Sequence, residues 1–312
     1  FSPDSSSSVP VRPILRFGAN YQLKDFTFLR ASFGQAIRYP SVAERYASTS
    51  IGALNIFPNQ DLLPERGWSA ELGIKQGFEI SNFKGFVDVA GFINEYSNMM
   101  EFTFGYFKPD SIPISFNPND PGFPQNWFGF RAENAEQARI TGVELSINGT
   151  GKIGPVEVTA LMGYTFMNPI VLNPDSAYIF GTNGNGGLSD TSSNMLKYRF
   201  RHLAKGDIQF KYKKLMFGFS ARYNSFMENI DASFETGINV LGNNVPVLVG
   251  LEDYRERNAG GDLIFDTRIG YQLNEQFLIN FVVNNVFNEE YMTRPGDIRA
   301  PRQFLLRFQA KF

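Results

Sequence analysis

"APRQFLLRFQAKF", residues 300–312, closes the chain and decides the fold. Phe304, Leu306, Phe308, Ala310 and Phe312 alternate there with Leu305, Arg307, Gln309 and Lys311. Side chains along a strand point to opposite faces with a period of two, so this stretch is a strand with one unbroken apolar row. The last residues of a water-soluble domain usually fray into solvent. A Phe and Leu row carried to the final position implies an apolar medium outside the protein.

The same alternation recurs from end to end, and helical periodicity is hard to find. Leu15, Phe17, Ala19 and Tyr21 oppose Arg16, Gly18 and Asn20. Trp68, Ala70, Leu72 and Ile74 oppose Ser69, Glu71, Gly73 and Lys75, and Val156 to Tyr164 repeats the pattern. Lys205, Asp207, Gln209 and Lys211 oppose Gly206, Ile208, Phe210 and Tyr212. Further strands follow at 215–224, 265–273 and 277–284. About eleven strands of roughly ten residues are expected, longer than the usual strand of a globular domain.

Composition narrows the class. The chain has 312 residues with a net charge of −2, so no basic field exists to attract nucleic acid. Charged residues make up 19% and aromatics 15%, and the 32 Phe need a large apolar surface to occupy. There is no Cys, which excludes disulfides and thiolate metal sites, and the single His excludes a histidine cluster. No run of 18 apolar residues is present, so no helical span is expected. Barrel strands carry a much weaker signal and stay open as a route through a membrane. The first residue is Phe1 and no signal peptide is visible, so a processed or partial chain is expected.

The connections set the architecture. Short turns are expected near 22–25, 78–82, 150–154, 213–214 and 274–275, and long ones near 38–65, 99–133, 169–196, 228–260 and 288–300. Short and long alternate strictly, so antiparallel strands put all short turns at one end and all long loops at the other. That is the layout of an outer-membrane barrel. A soluble β-sandwich also alternates, but long strands, two-sided loop lengths and a Phe-rich face opposite an Arg, Asp, Glu and Lys face favour the barrel. The expected fold is all-β, a transmembrane antiparallel β-barrel. Its last strand needs a partner, since unpaired backbone in hydrocarbon costs several kcal/mol per group. With eleven strands the first and last run in the same direction, so part of a larger, even-stranded barrel is expected.

Four blocks carry a family resemblance. "RASFGQAIRYPSVAERY" (30–46), "NQDLLPERGWSAELGIKQGF" (59–78), "NAEQARITGVELSING" (134–149) and "NNVFNEEYMTRPG" (284–296) stand in this order. Together they resemble the barrel of TonB-dependent outer-membrane receptors, with Gln60 where Pro is common. The resemblance implies a 22-stranded barrel, with residues 1–312 forming its C-terminal half and the plug domain lying outside them. It also implies location in the bacterial outer membrane, active uptake of a scarce solute (metal chelate, cofactor, oligosaccharide or peptide), and no covalent catalysis or cofactor. The implied partners are outer-membrane lipid and the TonB complex acting through the plug, with a surface lipoprotein over the long loops as a further candidate. Glu71 and Glu144 fall in motifs whose glutamates pair with plug arginines in the family, so both are expected to contact the plug. The alternative for each is a neighbouring Arg or Lys of the wall.

The 99–133 segment places Phe116, Phe123, Trp127, Phe128 and Phe130 amid Pro, Asn and Gly. Aromatics at that density mark a substrate-binding loop, against packing between loops as the plainer role. "FGTNGNGGLSD" (180–190) is expected to be flexible enough to fold over a ligand. Asn117, Asn119 and Asp120, or Glu252 and Asp253, offer oxygen ligands, but their spacing does not match a calcium loop and no metal site is expected. His202 opens a strand without a nucleophile motif nearby, so a rim position is expected. "GTGKIG" (149–154) lacks the phosphate-loop pattern. The competing functions are a passive porin-like channel and, further behind, a barrel enzyme or adhesin.

Overall fold

The computed structural model describes residues 13–51, 54–173, 193–240 and 243–311. In chain order the elements are β1 (Arg16–Lys24), β2 (Thr27–Arg38), α1 (Val42–Tyr46), β3 (Thr49–Ile51), β4 (Leu54–Phe57), β5 (Glu65–Ile80), β6 (Phe83–Tyr106), β7 (Phe128–Ile153) and β8 (Val156–Val171). They continue with β9 (His202–Tyr212), β10 (Leu215–Asn224), α2 (Ala232–Thr236), β11 (Ile238–Val240), β12 (Asn243–Val245), α3 (Leu251–Arg257), β13 (Asp262–Gln272), β14 (Phe277–Asn284) and β15 (Gln303–Ala310).

Eleven of these strands form one antiparallel wall in the order β1-β2-β5-β6-β7-β8-β9-β10-β13-β14-β15. Each pairs with its neighbour along the chain, and no second sheet packs on the wall among the described residues. Only the small β11–β12 ribbon stands apart. Within the same limits β1 pairs only with β2 and β15 only with β14, so both lateral edges are open.

Register separates the two faces, because residues paired across antiparallel strands share one. One rung runs Leu29–Ile74–Val89–Leu145–Tyr164–Ala204–Tyr223–Leu263. The adjacent rung, on the other face, runs Lys75–Asp88–Ser146–Gly163–Lys205–Arg222. In β15 the apolar row is Phe304, Leu306 and Phe308, with Leu306 76% exposed. Among the described residues no second sheet covers these side chains, and exposing them to water would cost about 25 cal/mol per Å².

The connections are two-sided as the sequence indicates. Short ones lie at 25–26, 81–82, 154–155, 213–214 and 273–276, and long ones at 39–64, 107–127, 172–201, 225–261 and 285–302. Three of the short turns open on a residue with positive φ, Ser81, Gly154 and Lys213, the geometry that matches the twist of the flanking strands, whereas the first turn carries it at its second position, Phe26.

One boundary differs from expectation. Residues 99–106 and 128–133 are strand, not loop, pairing from Met100↔Asn134 out to Tyr106↔Phe128 beyond a register shift at Tyr96/Met99. Phe128 and Phe130 therefore belong to β7, and only Phe116, Phe123 and Trp127 lie on the connection. The hairpin arms reach 24 and 26 residues. At ~3.3 Å per residue that is roughly 80 Å, well beyond the ~25 Å band an outer-membrane barrel presents to lipid.

A strap stiffens the arm. β4 pairs in parallel with β7, Asn55 opposite Gly129, and Phe57 stacks on Trp127 at 5.9 Å. A Cβ at Gly129 would lie 2.1 Å from the Asn55 carbonyl oxygen. Gly129→Ala is expected to cost about 1–3 kcal/mol locally and to speed amide exchange in residues 54–57, with exchange in β13 and β14 unchanged.

The main hydrophobic core sits among the long connections. Phe104, Met227, Ile230, Phe234, Leu251, Tyr254 and Met292 are buried together there. Phe234, from the β10–β13 connection, meets Phe104 of β6 at 5.5 Å and Phe130 of β7 at 6.0 Å. Since β8 and β9 lie between β7 and β10 in the wall, this connection must cross over the polar face to make those contacts.

Candidate functional site

The polar face carries fixed charge pairs. The Arg30 guanidinium holds Glu71 at 2.7 Å and also grips Asp88. Arg268 forks onto Asp207 at 2.6 and 2.8 Å, and Ser220 donates to the same carboxylate. Arg222 lies 3.8 Å from Asp266. Glu144 stands on this face between Ala90 and Thr165. It is exposed and has no hydrogen bond or ion pair among the described residues. With Arg30, Asp88, Lys205 and Arg222 it lines a cavity of about 510 Å³. Glu71 thus pairs with a neighbouring wall residue, and Glu144 makes no such pair among the described residues.

The candidate binding aromatics divide. Phe130 and Phe128 are partly buried and pack against the hydrophobic core, Phe128 also meeting Tyr106 at 5.0 Å. Trp127 stacks on Phe57 and its Nε1 donates to the Pro121 carbonyl at 2.6 Å. Phe123 is part of the turn closed by its N–H on the Asp120 carbonyl, 3.1 Å. Phe116 alone stands clear, 70% exposed near the tip of the connection. Asp120 spends its carboxylate on Ser115 and Asn117, at 2.6 and 3.2 Å. Glu252 and Asp253 sit in the first turn of α3. No group of three or more His, Cys, Asp or Glu comes together among the described residues. Residues 180–190 lie outside the described residues. His202 begins β9 on the apolar face, its Nδ1 2.7 Å from the Tyr164 hydroxyl and its ring against Phe166, a rim position.

Several working residues escaped the sequence reading. Ser41 caps α1 with Glu44 three positions on, and Glu44 also takes Arg38 at 2.8 Å; the Ser-x-x-Glu spacing is a signal that was there to find. In "NQDLLPERG", Asn59 donates to the Ala132 carbonyl at 2.8 Å, Leu62 is buried against Met100 and Ala132, and Glu65 accepts from the Met100 N–H at 2.9 Å. That motif clamps the first long connection to the arm. Deeper in, Asp231 is fully buried and takes both the Lys197 ammonium and the Tyr198 hydroxyl. Burial first, and then the Asp231 carboxylate, raise the Tyr198 phenol far above its ordinary value, so it stays a neutral donor.

Beneath these connections, where they meet the polar face, lies a second cavity of about 610 Å³. Its walls include Tyr96 and Ile140 from the strands, Tyr198 and Arg199 from the β8–β9 connection, Phe234 of α2, and Arg294 from the last connection. Arg199 is tied to Glu101 of β6 at 2.7 Å.

A single-layered antiparallel wall with an apolar outer face, a charged inner face and every long connection at one end is the architecture of an outer-membrane β-barrel receptor. The family model for TonB-dependent receptor-like β-barrels matches residues 14–286. The chain belongs to the TonB-dependent receptors, proteins of the bacterial outer membrane. A comparison with curated protein sequences finds no significant match. Among solved structures it is similar to the ferric-catecholate import receptor Fiu from E. coli K12 in its closed form, with TM-score 0.56 and 19% identity over 95% of this chain and 34% of that one. The copper transporter OprC aligns with TM-score 0.59 and 13% identity over 96% of this chain and 39% of its own. A double mutant of the Serratia marcescens hemophore receptor HasR, in complex with HasA and heme, aligns with TM-score 0.55 and 16% identity over 96% and 39%. This chain therefore spans between about a third and two fifths of the length of these structures.

Proposed function

We propose that the intact protein takes up a scarce solute by TonB-driven active transport, and that this chain supplies the C-terminal wall of a barrel of about 22 strands together with its extracellular loops. One observation carries the proposal. The 225–261 and 285–302 connections build a hydrophobic core across the polar face, where a diffusion channel would need open water. The solute is a metal chelate, cofactor, oligosaccharide or peptide; the ferric catecholate, copper and heme named for the neighbours illustrate the family's range. Outer-membrane lipid covers the apolar face, TonB acts through a plug domain, and a surface lipoprotein is a further partner to test for over the long loops.

Glu144 and Glu71 are the wall positions offered to the plug. Glu71 already shares Arg30 with Asp88, whereas Glu144 is uncommitted among the described residues. A carboxylate in a narrow, partly dry lumen gains from a cationic partner. The experiment is whole-cell accumulation from a panel of ferric chelates, cobalamin, heme and oligosaccharides, with and without an uncoupler and in a strain lacking TonB. Energised accumulation of at least one solute is expected, and Glu144→Lys is expected to cut it by about tenfold or more at unchanged outer-membrane abundance. Flux that survives both treatments would make the protein a passive channel.

A further inference from the structure

We propose that the 610 Å³ cavity recognises anionic solutes with an apolar or aromatic body, and that Arg294 is the residue that selects for the negative charge. This deepens the transport reading above and rests on it.

The cavity has the size of a small-molecule site and is mixed in character. Met100, Phe130 and Phe234 give it apolar walls. Its charged lining is Arg38, Arg199 and Arg294 against Glu65 and Glu101, an excess of one cation. The two carboxylates are occupied, because Arg38 reaches Glu65 at 3.5 Å and Arg199 holds Glu101 at 2.7 Å. The Arg294 guanidinium has no ion pair or hydrogen bond among the described residues. The Tyr96 hydroxyl, on the strand side, is likewise uncommitted among them.

Local structure explains why Arg294 is left over. The nearest carboxylate in sequence, Asp297, is claimed by Arg299 at 3.0 Å and by the Thr293 hydroxyl. The Asp297 N–H closes a turn on the Arg294 carbonyl at 3.0 Å. At the root of that turn Met292 is buried, its N–H donates to the Tyr254 hydroxyl at 3.0 Å, and it bridges to Ile298. The backbone that presents Arg294 is thus fixed from below. A guanidinium offers a planar fork that fits a carboxylate with two hydrogen bonds, and Tyr96 adds a neutral donor across the cavity.

The test uses the intact protein in detergent, without TonB or a proton gradient, and a matched probe pair: benzene-1,3,5-tricarboxylate and its uncharged triamide. Affinities are read by saturation-transfer NMR titration. The triacid is expected to bind about tenfold or more tightly than the triamide, the ratio expected for a charge-assisted hydrogen bond. Arg294→Gln is expected to erase that preference, Arg294→Lys to keep part of it, and Arg302→Gln, away from the cavity lining, to leave it intact. Heat-modifiable gel mobility verifies that each variant is folded. Equal affinities for the two probes, binding of neither, or a preference that survives in Arg294→Gln would overturn the assignment. Failure here leaves active transport standing, and a passive result in the uptake experiment leaves this binding result standing.

Discussion

Leu306→Arg destabilises the folded barrel by about 2–4 kcal/mol, whereas Leu305→Arg, one residue earlier, costs close to nothing. Leu306 stands at the middle of β15 in the apolar row, opposite Phe281, and Leu305 stands on the charged face opposite Val282. A cation near the bilayer midplane on a lipid-facing position carries a cost of that size, while lumen-facing substitutions are tolerated. The comparison isolates the face, because strand, depth and chemistry are otherwise shared. Urea unfolding in liposomes, followed by heat-modifiable mobility, gives both values. A costly Leu305→Arg beside a harmless Leu306→Arg would invert the two faces of the whole wall, since the register ties every strand to its neighbour.

Asp231→Ala has the other large effect, confined to the loop side. It removes the carboxylate that holds the buried Lys197 and Tyr198, in a site where Asp231 itself has no exposure. Breaking a buried pair from one side costs about 3–5 kcal/mol, because a charge is left in a poorly solvated place. The loss is expected as rapid amide exchange and protease cleavage within 193–201 and 225–236, with β13, β14 and β15 still protected. Asp231→Asn, which keeps the shape and the acceptor oxygen, falls between the two. A uniform loss of protection across the wall would show that this network supports the barrel and not merely its loop core.

The wall was legible because its physics is one-dimensional. A strand with unlike media on its two sides writes that difference into every second residue, as Phe304 to Ala310 show, and turn lengths read off the same line. The arm was not. Pro109, Pro113, Pro118, Pro121 and Pro124 crowd the tip, and their turn chemistry masked the alternation that resumes at Phe128. The loop core was invisible for a different reason. Phe104 and Phe234 become neighbours only once β10 has been carried round the wall. Asp231 was doubly hidden: it occupies the N-cap position of α2 yet makes no cap hydrogen bond, spending its carboxylate on a partner in another connection. Glu71 and Glu144 look equivalent in sequence and differ only because Arg30 sits on β2, within reach of one and not of the other.

The β6–β7 hairpin outlasts the membrane. Its outer half owes its rigidity to cross-strand pairing and to the β4 strap, so its reach is the same in a bilayer or in a micelle. It works as a mast, and Ile114 and Phe116 ride bare at its top. A strand pair built to this length therefore carries its bare tip well past the apolar band that lipid would cover.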